Sequence, residues 1–225
     1  MSPLSMTWRD VLFAHWPVDP GLVQPRLPDG VDVDTHDGRA WLGVVAFVME
    51  DIRPSVLPRG LTFPELNLRT YVTHESGKPG IYFFNLDAAD PLGVAIARRG
   101  FRLPYYRASM RADREGTGVH FSSRRTHRGQ PPMAFDATYG PASGRIGDRE
   151  RADFLTERYR FYTASDDGQV YAGDVTHPRW PLRPGRVEFR RNDCFRANGF
   201  DHPPGNPLVH YSPTVDVTAR RLAKL

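Results

Sequence analysis

Two short stretches hold most of the residues able to do chemistry. In Glu65-Leu66-Asn67-Leu68-Arg69-Thr70-Tyr71-Val72 polar and apolar side chains alternate, and successive side chains of a strand point to opposite faces. Glu65, Asn67, Arg69 and Tyr71 therefore share one face. That face offers a carboxyl able to move a proton, an amide, and a guanidinium able to grip a carboxylate or enolate. The second stretch, Gly100 to Met110, sets Tyr105 and Tyr106 at the head of an expected strand, where a phenol can donate to a developing oxyanion or act as an acid. Two placements suit the first row. On a solvent-facing strand Glu65 and Arg69 form a surface pair; in a barrel the same row becomes the polar wall of a cavity. Either tyrosine also suits plain packing, so burial separates the alternatives.

The elements that must position these residues are mostly strands. With 21 prolines and 20 glycines in 225 residues, turns are frequent and long helices are not expected. Trp8, Val11, Leu12 and His15 recur at helical spacing and predict a short opening helix stopped by Pro17. Residues 31–33 and the apolar run 40–48 predict two strands joined across Asp37-Gly38, the second buried on both faces. Segment 51–64, with three prolines and a glycine, reads as a surface loop. Residues 65–72 and 81–87 predict a hairpin. Asp90 as N-cap, Pro91 at the first helical position and Gly100 past the end predict a helix with Leu92, Ala95 and Ile96 on one face. Further strands are expected at 105–111 and 118–124, around Glu115-Gly116, and at 135–139, 160–163, 170–175 and 187–191. A short helix is expected at 153–159. The whole chain, 1–225, reads as one domain with an irregular tail from 203.

Composition excludes several function classes. The net charge is +4 and the pI about 9.4, but acidic and basic residues are interspersed. Arg124, Arg125, His127 and Arg128 form the one local cluster of note, which an exposed hairpin explains, so no nucleic-acid partner is expected. Cys194 stands alone, so neither an intramolecular disulfide nor a cysteine metal site is possible, which suits a reducing cytoplasm. No run reaches the roughly 18 apolar residues of a membrane span, and no membrane partner is expected. The eight histidines are scattered and the common phosphate, dinucleotide, zinc and serine-nucleophile motifs are missing, so neither metal nor cofactor is expected.

Several motifs together resemble one family: "LFAHWPV", "DGRAWLGVVAF", "ELNLRTYV", "GKPGIYFFNLDA", "ARRGFRLPYYRASM", "FLTERYRFY" and "VTHPRWPL". From Trp8 to about Pro184 the chain resembles the YqjF-like uncharacterised conserved proteins, a remote branch of the acetoacetate decarboxylase-like superfamily. The resemblance implies an α+β, mainly antiparallel β fold: a strongly curved sheet or barrel with a central cavity and a few short flanking helices. In that superfamily's decarboxylases the second stretch carries adjacent lysines, the first of which forms a Schiff base. Here those positions match Tyr105 and Tyr106, and a phenol cannot form an imine. The only lysines are Lys78 and Lys224, one in a Gly-Pro loop and one beside the C-terminus; Arg107 stays protonated and is a poor nucleophile. The expected ligand is a small anionic or carbonyl-bearing molecule. Glu65, Tyr105 and Tyr106 are the candidate catalytic residues, and Asn67, Arg69, Tyr82 and Arg107 the candidate ligand contacts. A non-catalytic module whose polar row satisfies itself is the alternative.

Overall fold

β-branched and aromatic residues between frequent turn signals give a strand-dominated chain. The computed structural model describes residues 3–54, 57–165 and 167–225, without the side chains of residues 92, 95–97 and 99. The chain opens with β1 (Leu4–Val18), α1 (Pro20–Val23) and β2 (Val31–Val33). Next come β3 (Ala40–Pro54), β4 (Leu61–His74), β5 (Pro79–Ala88), α2 (Pro91–Phe101), β6 (Tyr105–Glu115), β7 (Gly118–Arg125) and β8 (Ala134–Pro141). The last third holds α3 (Arg149–Thr156), β9 (Arg160–Ala164), β10 (Val170–Thr176), β11 (Arg183–Asn192), α4 (Cys194–Ala197), β12 (Leu208–Ala219) and β13 (Ala223–Lys224).

One thirteen-stranded sheet closes on itself twice. A nine-stranded barrel runs β5-β6-β7-β8-β11-β12-β1-β3-β4 and returns to β5. A smaller ring shares the wall β12-β1-β3-β4-β5 and closes through β9 and β10, by the short ladders Ile81 to Phe161 and Val175 to Ala219. The shared strands face a core on each side, so β3 is buried without interruption from Ala40 to Met49, as its unbroken apolar run predicts. Leu12, Leu42, Leu66, Leu68, Phe121 and Phe135 pack inside the nine-stranded barrel. Phe13, Val45, Phe47, Phe63, Phe161 and Trp180 pack inside the smaller ring. β4 therefore gives leucines to one interior and its polar row to the other.

Several expectations need correction. The opening segment is a strand, β1, not a helix. Asp10 takes a positive φ of 55° where the β1–β3 register shifts. This bulge brings Trp8 and Val11 onto the same face and so mimics an i, i+3 pair. β2 pairs with β4 rather than β3. Strands β3 and β4 invade the expected loop 51–64 and leave only 55–60 between them. Helix α3 starts earlier than expected, capped by Asp148. Helix α2 has the expected Asp90 cap, but Arg102, not Gly100, takes the left-handed position at its end; the proposed face of Leu92, Ala95 and Ile96 lies outside the described side chains. The tail is not irregular: β12 pairs with β1 along eleven residue pairs. Pro213 falls opposite Asp10, where that register skips both, so its missing N–H costs no ladder bond.

Candidate functional site

Antiparallel pairing lays β4 against β3 with Phe47 opposite Glu65, Val45 opposite Asn67 and Gly43 opposite Arg69. The polar row points into a cavity of about 240 Å³ inside the smaller ring. Glu65 and Asn67 are each 2% exposed and Arg69 7%, which rules out the solvent-facing strand. Parallel pairing of β6 to β5 sets Tyr105 beside Leu86, on the cavity wall. Its hydroxyl donates to Glu65 Oε2 at 2.7 Å, and Asn67 Nδ2 donates to Glu65 Oε1 at 3.4 Å.

Burial in this apolar setting pushes the Glu65 carboxyl up to about 7; the hydrogen bonds from Tyr105 and Asn67 pull the other way, and the charge of Asp87 adds to the rise. Burial, with Glu65 alongside, holds the Tyr105 phenol well above its ordinary range, so Tyr105 remains a donor. Tyr105→Phe deletes a bond that favours the ionised carboxylate and is expected to move the Glu65 midpoint further above 7, read by carbon NMR of a labelled glutamate side chain across pH. An unchanged midpoint would mean that the bond contributes nothing.

Four arginines line the cavity. Arg53 pairs with Asp51, Arg158 with Asp34 at 2.8 Å and Arg160 with Asp174 at 2.7 Å. Arg69 has no carboxylate partner among the described residues. Its Nη2 donates to the Leu155 carbonyl at 3.1 Å, one of the carbonyls at the C-terminal end of α3 that lack a helical partner and carry partial negative charge. Among the described residues its Nε is buried without a partner, as is Asn67 Oδ1.

Behind Arg69, the Tyr71 hydroxyl donates its one proton to the Leu155 carbonyl at 2.7 Å. It must therefore accept from His15 Nε2, also at 2.7 Å, which leaves His15 Nδ1 as a buried, unpartnered acceptor. Burial first, then Arg69 and His210, hold His15 well below its ordinary range, so it is neutral. Gly43 makes this packing possible, since a Cβ there would lie 2.9 Å from the His15 ring.

Three sequence candidates fall elsewhere. Tyr82 pairs with Thr70, on the opposite face of the sheet from Glu65, and a bulge at Leu68–Arg69 separates the two parities of β5. Tyr106 follows Tyr105 on a strand and so points away from the cavity, over the Arg125 guanidinium at 4.4 Å and against His127. Arg107 is exposed. Arg125, read as part of an exposed cluster, is instead buried and forms a two-point bond to Asp87 at 2.7 and 2.9 Å. Sequence reasoning passed over Tyr71, although it belongs to the polar row, and gave His15 and His177 no site role. Both histidines have the interior partners expected of buried polar groups: Tyr71 for His15, and for His177, which lines the cavity, the Pro178 carbonyl at 2.7 Å.

Comparison with known proteins adds the family. The family model DUF2071, described as an uncharacterized conserved protein, matches residues 5–216. The uncharacterized protein YqjF of Bacillus subtilis (strain 168) is 40% identical over 219 residues, covering 95% of this chain and 89% of its own. Among solved structures, acetoacetate decarboxylase from Legionella pneumophila subsp. pneumophila str. Philadelphia 1 superposes with a TM-score of 0.70 at 13% identity, covering 100% of this chain and 87% of its own. The enduracididine biosynthesis enzyme MppR complexed with pyruvate gives 0.65 at 13%, covering 99% and 90%. At such identities the structural likeness speaks for the fold. Among the described residues no helix is long and apolar enough to cross a membrane.

Proposed function

The chain belongs to DUF2071, a family of uncharacterized conserved proteins on an acetoacetate decarboxylase-like barrel, and on that premise we propose that the smaller ring binds a small organic acid, with its carboxylate on Arg69 and its reacting group against Glu65 and Tyr105. One observation carries this reading: of the cavity's four arginines, Arg69 alone has no internal counter-ion among the described residues. An ion buried without a partner is expensive, with an effective penalty of several kcal/mol, and an anionic ligand supplies the missing charge. A thermal-shift panel tests it. Carboxylates are expected to raise the unfolding temperature with concentration, while the matching amides and amines do not; amides that stabilise as strongly as the acids would sink the reading.

Glu65, with a midpoint of about 7, suits proton transfer near neutral pH, and Tyr105 suits donation to an oxyanion. The reaction class this favours is proton abstraction beside a carbonyl, the carbon-bound proton passing to Glu65 while Tyr105 steadies the enolate. Because MppR is described with pyruvate, an oxo acid is the first probe, one whose carbonyl lies far enough from its carboxylate to cover the four residues, roughly 13 Å of strand, between Arg69 and Glu65. In heavy water the protein is expected to catalyse deuterium exchange at the carbon beside the carbonyl of such a bound oxo acid, followed by proton NMR, and Glu65→Gln to abolish it. Exchange no faster than in buffer would favour the non-catalytic module.

The chemistry proposed is independent of lysine. Lys78 and Lys224 are both exposed, and neither lines the cavity. Incubation with acetoacetate and sodium borohydride is expected to leave the protein's mass unchanged. A reduced adduct on either lysine, with activity lost in the matching Lys→Ala variant, would overturn this.

A further inference from the structure

The cavity changes character along its length, and β4 carries the gradient. Reading from Leu61 towards Arg69, its inward side chains are Leu61, Phe63, Glu65, Asn67 and Arg69. Their partners on β3 follow the same order: Ile52 opposite Leu61, Met49 opposite Phe63, Phe47 opposite Glu65, Val45 opposite Asn67 and Gly43 opposite Arg69. At about 3.3 Å per residue the row spans roughly 26 Å. One end is closed by α3, whose Leu155 carbonyl takes bonds from Arg69 and Tyr71. The other end is mainly apolar, its one charged wall residue, Arg53, being paired with Asp51, and Leu4, Ile52, Leu61 and Phe101 there are only half-buried. A sealed core would bury such side chains fully; here they keep apolar surface in contact with water at the edge of a cavity.

Resting on the carboxylate reading of Arg69, we propose that the ligand is an amphipathic acid: a carboxylate at Arg69, a polar or carbonyl group beside Glu65 and Tyr105, and an apolar tail against Met49, Ile52, Leu61 and Phe63. A tail there withdraws the half-buried residues from water, and a non-polar wall rewards each added methylene. The Glu65 carboxyl, protonated below its midpoint, sits where a polar head and an apolar tail meet, so an anion can pass it without meeting a second negative charge. Space sets the upper limit. At about 1.3 Å per carbon, from the roughly 1.5 Å C–C bond, an extended acid of about sixteen to twenty carbons matches the row of roughly 26 Å, far longer than a two- or three-carbon acid.

The test is calorimetric titration with unbranched carboxylates from acetate to hexadecanoate at pH 6, with octanol and octylamine as controls. The dissociation constant is expected to fall about fourfold per added methylene, from roughly 0.8 kcal/mol each, and to keep falling through hexadecanoate. Leu61→Asn, at the half-buried edge, is expected to flatten the chain-length dependence and leave the affinity for acetate or pyruvate unchanged. Equal binding at every chain length would overturn the amphipathic assignment while leaving Arg69 as a carboxylate site. Failure of all the acids to bind would overturn both. Octanol or octylamine binding as tightly as octanoate would show that the head group is not read by Arg69, and would also overturn the proposal.

Discussion

Arg69→Met is expected to abolish carboxylate binding while leaving the protein as stable as before, or more stable. Substitutions in a barrel interior usually act the other way, since removing a buried side chain leaves a cavity or an unpaired group. Here the guanidinium is the group with unmet needs: it is buried, has no carboxylate partner among the described residues, and leaves its Nε without an acceptor. Its one backbone acceptor, the Leu155 carbonyl, keeps the Tyr71 hydroxyl at 2.7 Å, so the variant orphans nothing there. Replacing a buried ion by an apolar side chain of similar volume is often neutral or stabilising, and the Phe13 ring over which the guanidinium lies packs equally well against a thioether. For the ligand, loss of a buried charged partner costs about 2 kcal/mol or more, at least about thirtyfold in affinity. Thermal unfolding and titration of the same preparation check both halves. A variant that loses several kcal/mol of stability would assign Arg69 a structural role instead.

Glu65→Gln is expected to change stability in a pH-dependent way. The carboxyl titrates at about 7 in the fold against an ordinary value of 4.5, so between these limits the native state holds a proton that the unfolded chain has released. Stability rises with pH where the unfolded state binds more protons; here the native state binds more, so stability falls. The contribution is fully present below pH 4.5, declines through the window, and is gone above 7. A difference of about 2.5 units corresponds to about 3 kcal/mol at 1.36 kcal/mol per unit. Glutamine does not titrate, so the variant should match the wild type near pH 4.5 and exceed it by about 3 kcal/mol at pH 8 in urea unfolding. A gap independent of pH would show that the carboxyl is not held protonated by burial.

The polar row of β4 was legible because period two is a local property. Glu65, Asn67 and Arg69 share a face however the sheet closes, and an apolar opposite face requires burial on at least one side. Tyr105 was legible through the motif around it, but its neighbours were not separable by type. Tyr106 and Arg107 are as polar as Tyr105, and only the register against Leu86 and Asp87 shows which one enters the cavity. Tyr82 failed for a related reason, because its face depends on pairing with Thr70 across a bulge that leaves no signature in composition. β1 was disguised as a helix by the bulge at Asp10, and β12 was hidden by Pro213, whose tolerance depends on a partner two hundred residues away. Closure of the second ring rests on ladders of two residue pairs each, too short to announce themselves in any single segment. Local alternation was therefore readable, whereas which interior each face addresses depends on contacts distant in sequence.

The central claim is that Arg69 is the counter-ion of a ligand carboxylate at the polar end of the cavity. It is tested most directly by a crystal structure of the protein with 16-bromohexadecanoate, whose bromine locates the tail by anomalous scattering. A carboxylate oxygen is expected within about 3 Å of the Arg69 guanidinium, the distance of a charge-assisted hydrogen bond, with the bromine among Ile52, Leu61 and Phe101. A carboxylate at the apolar end, or bound to any arginine other than Arg69, would contradict it.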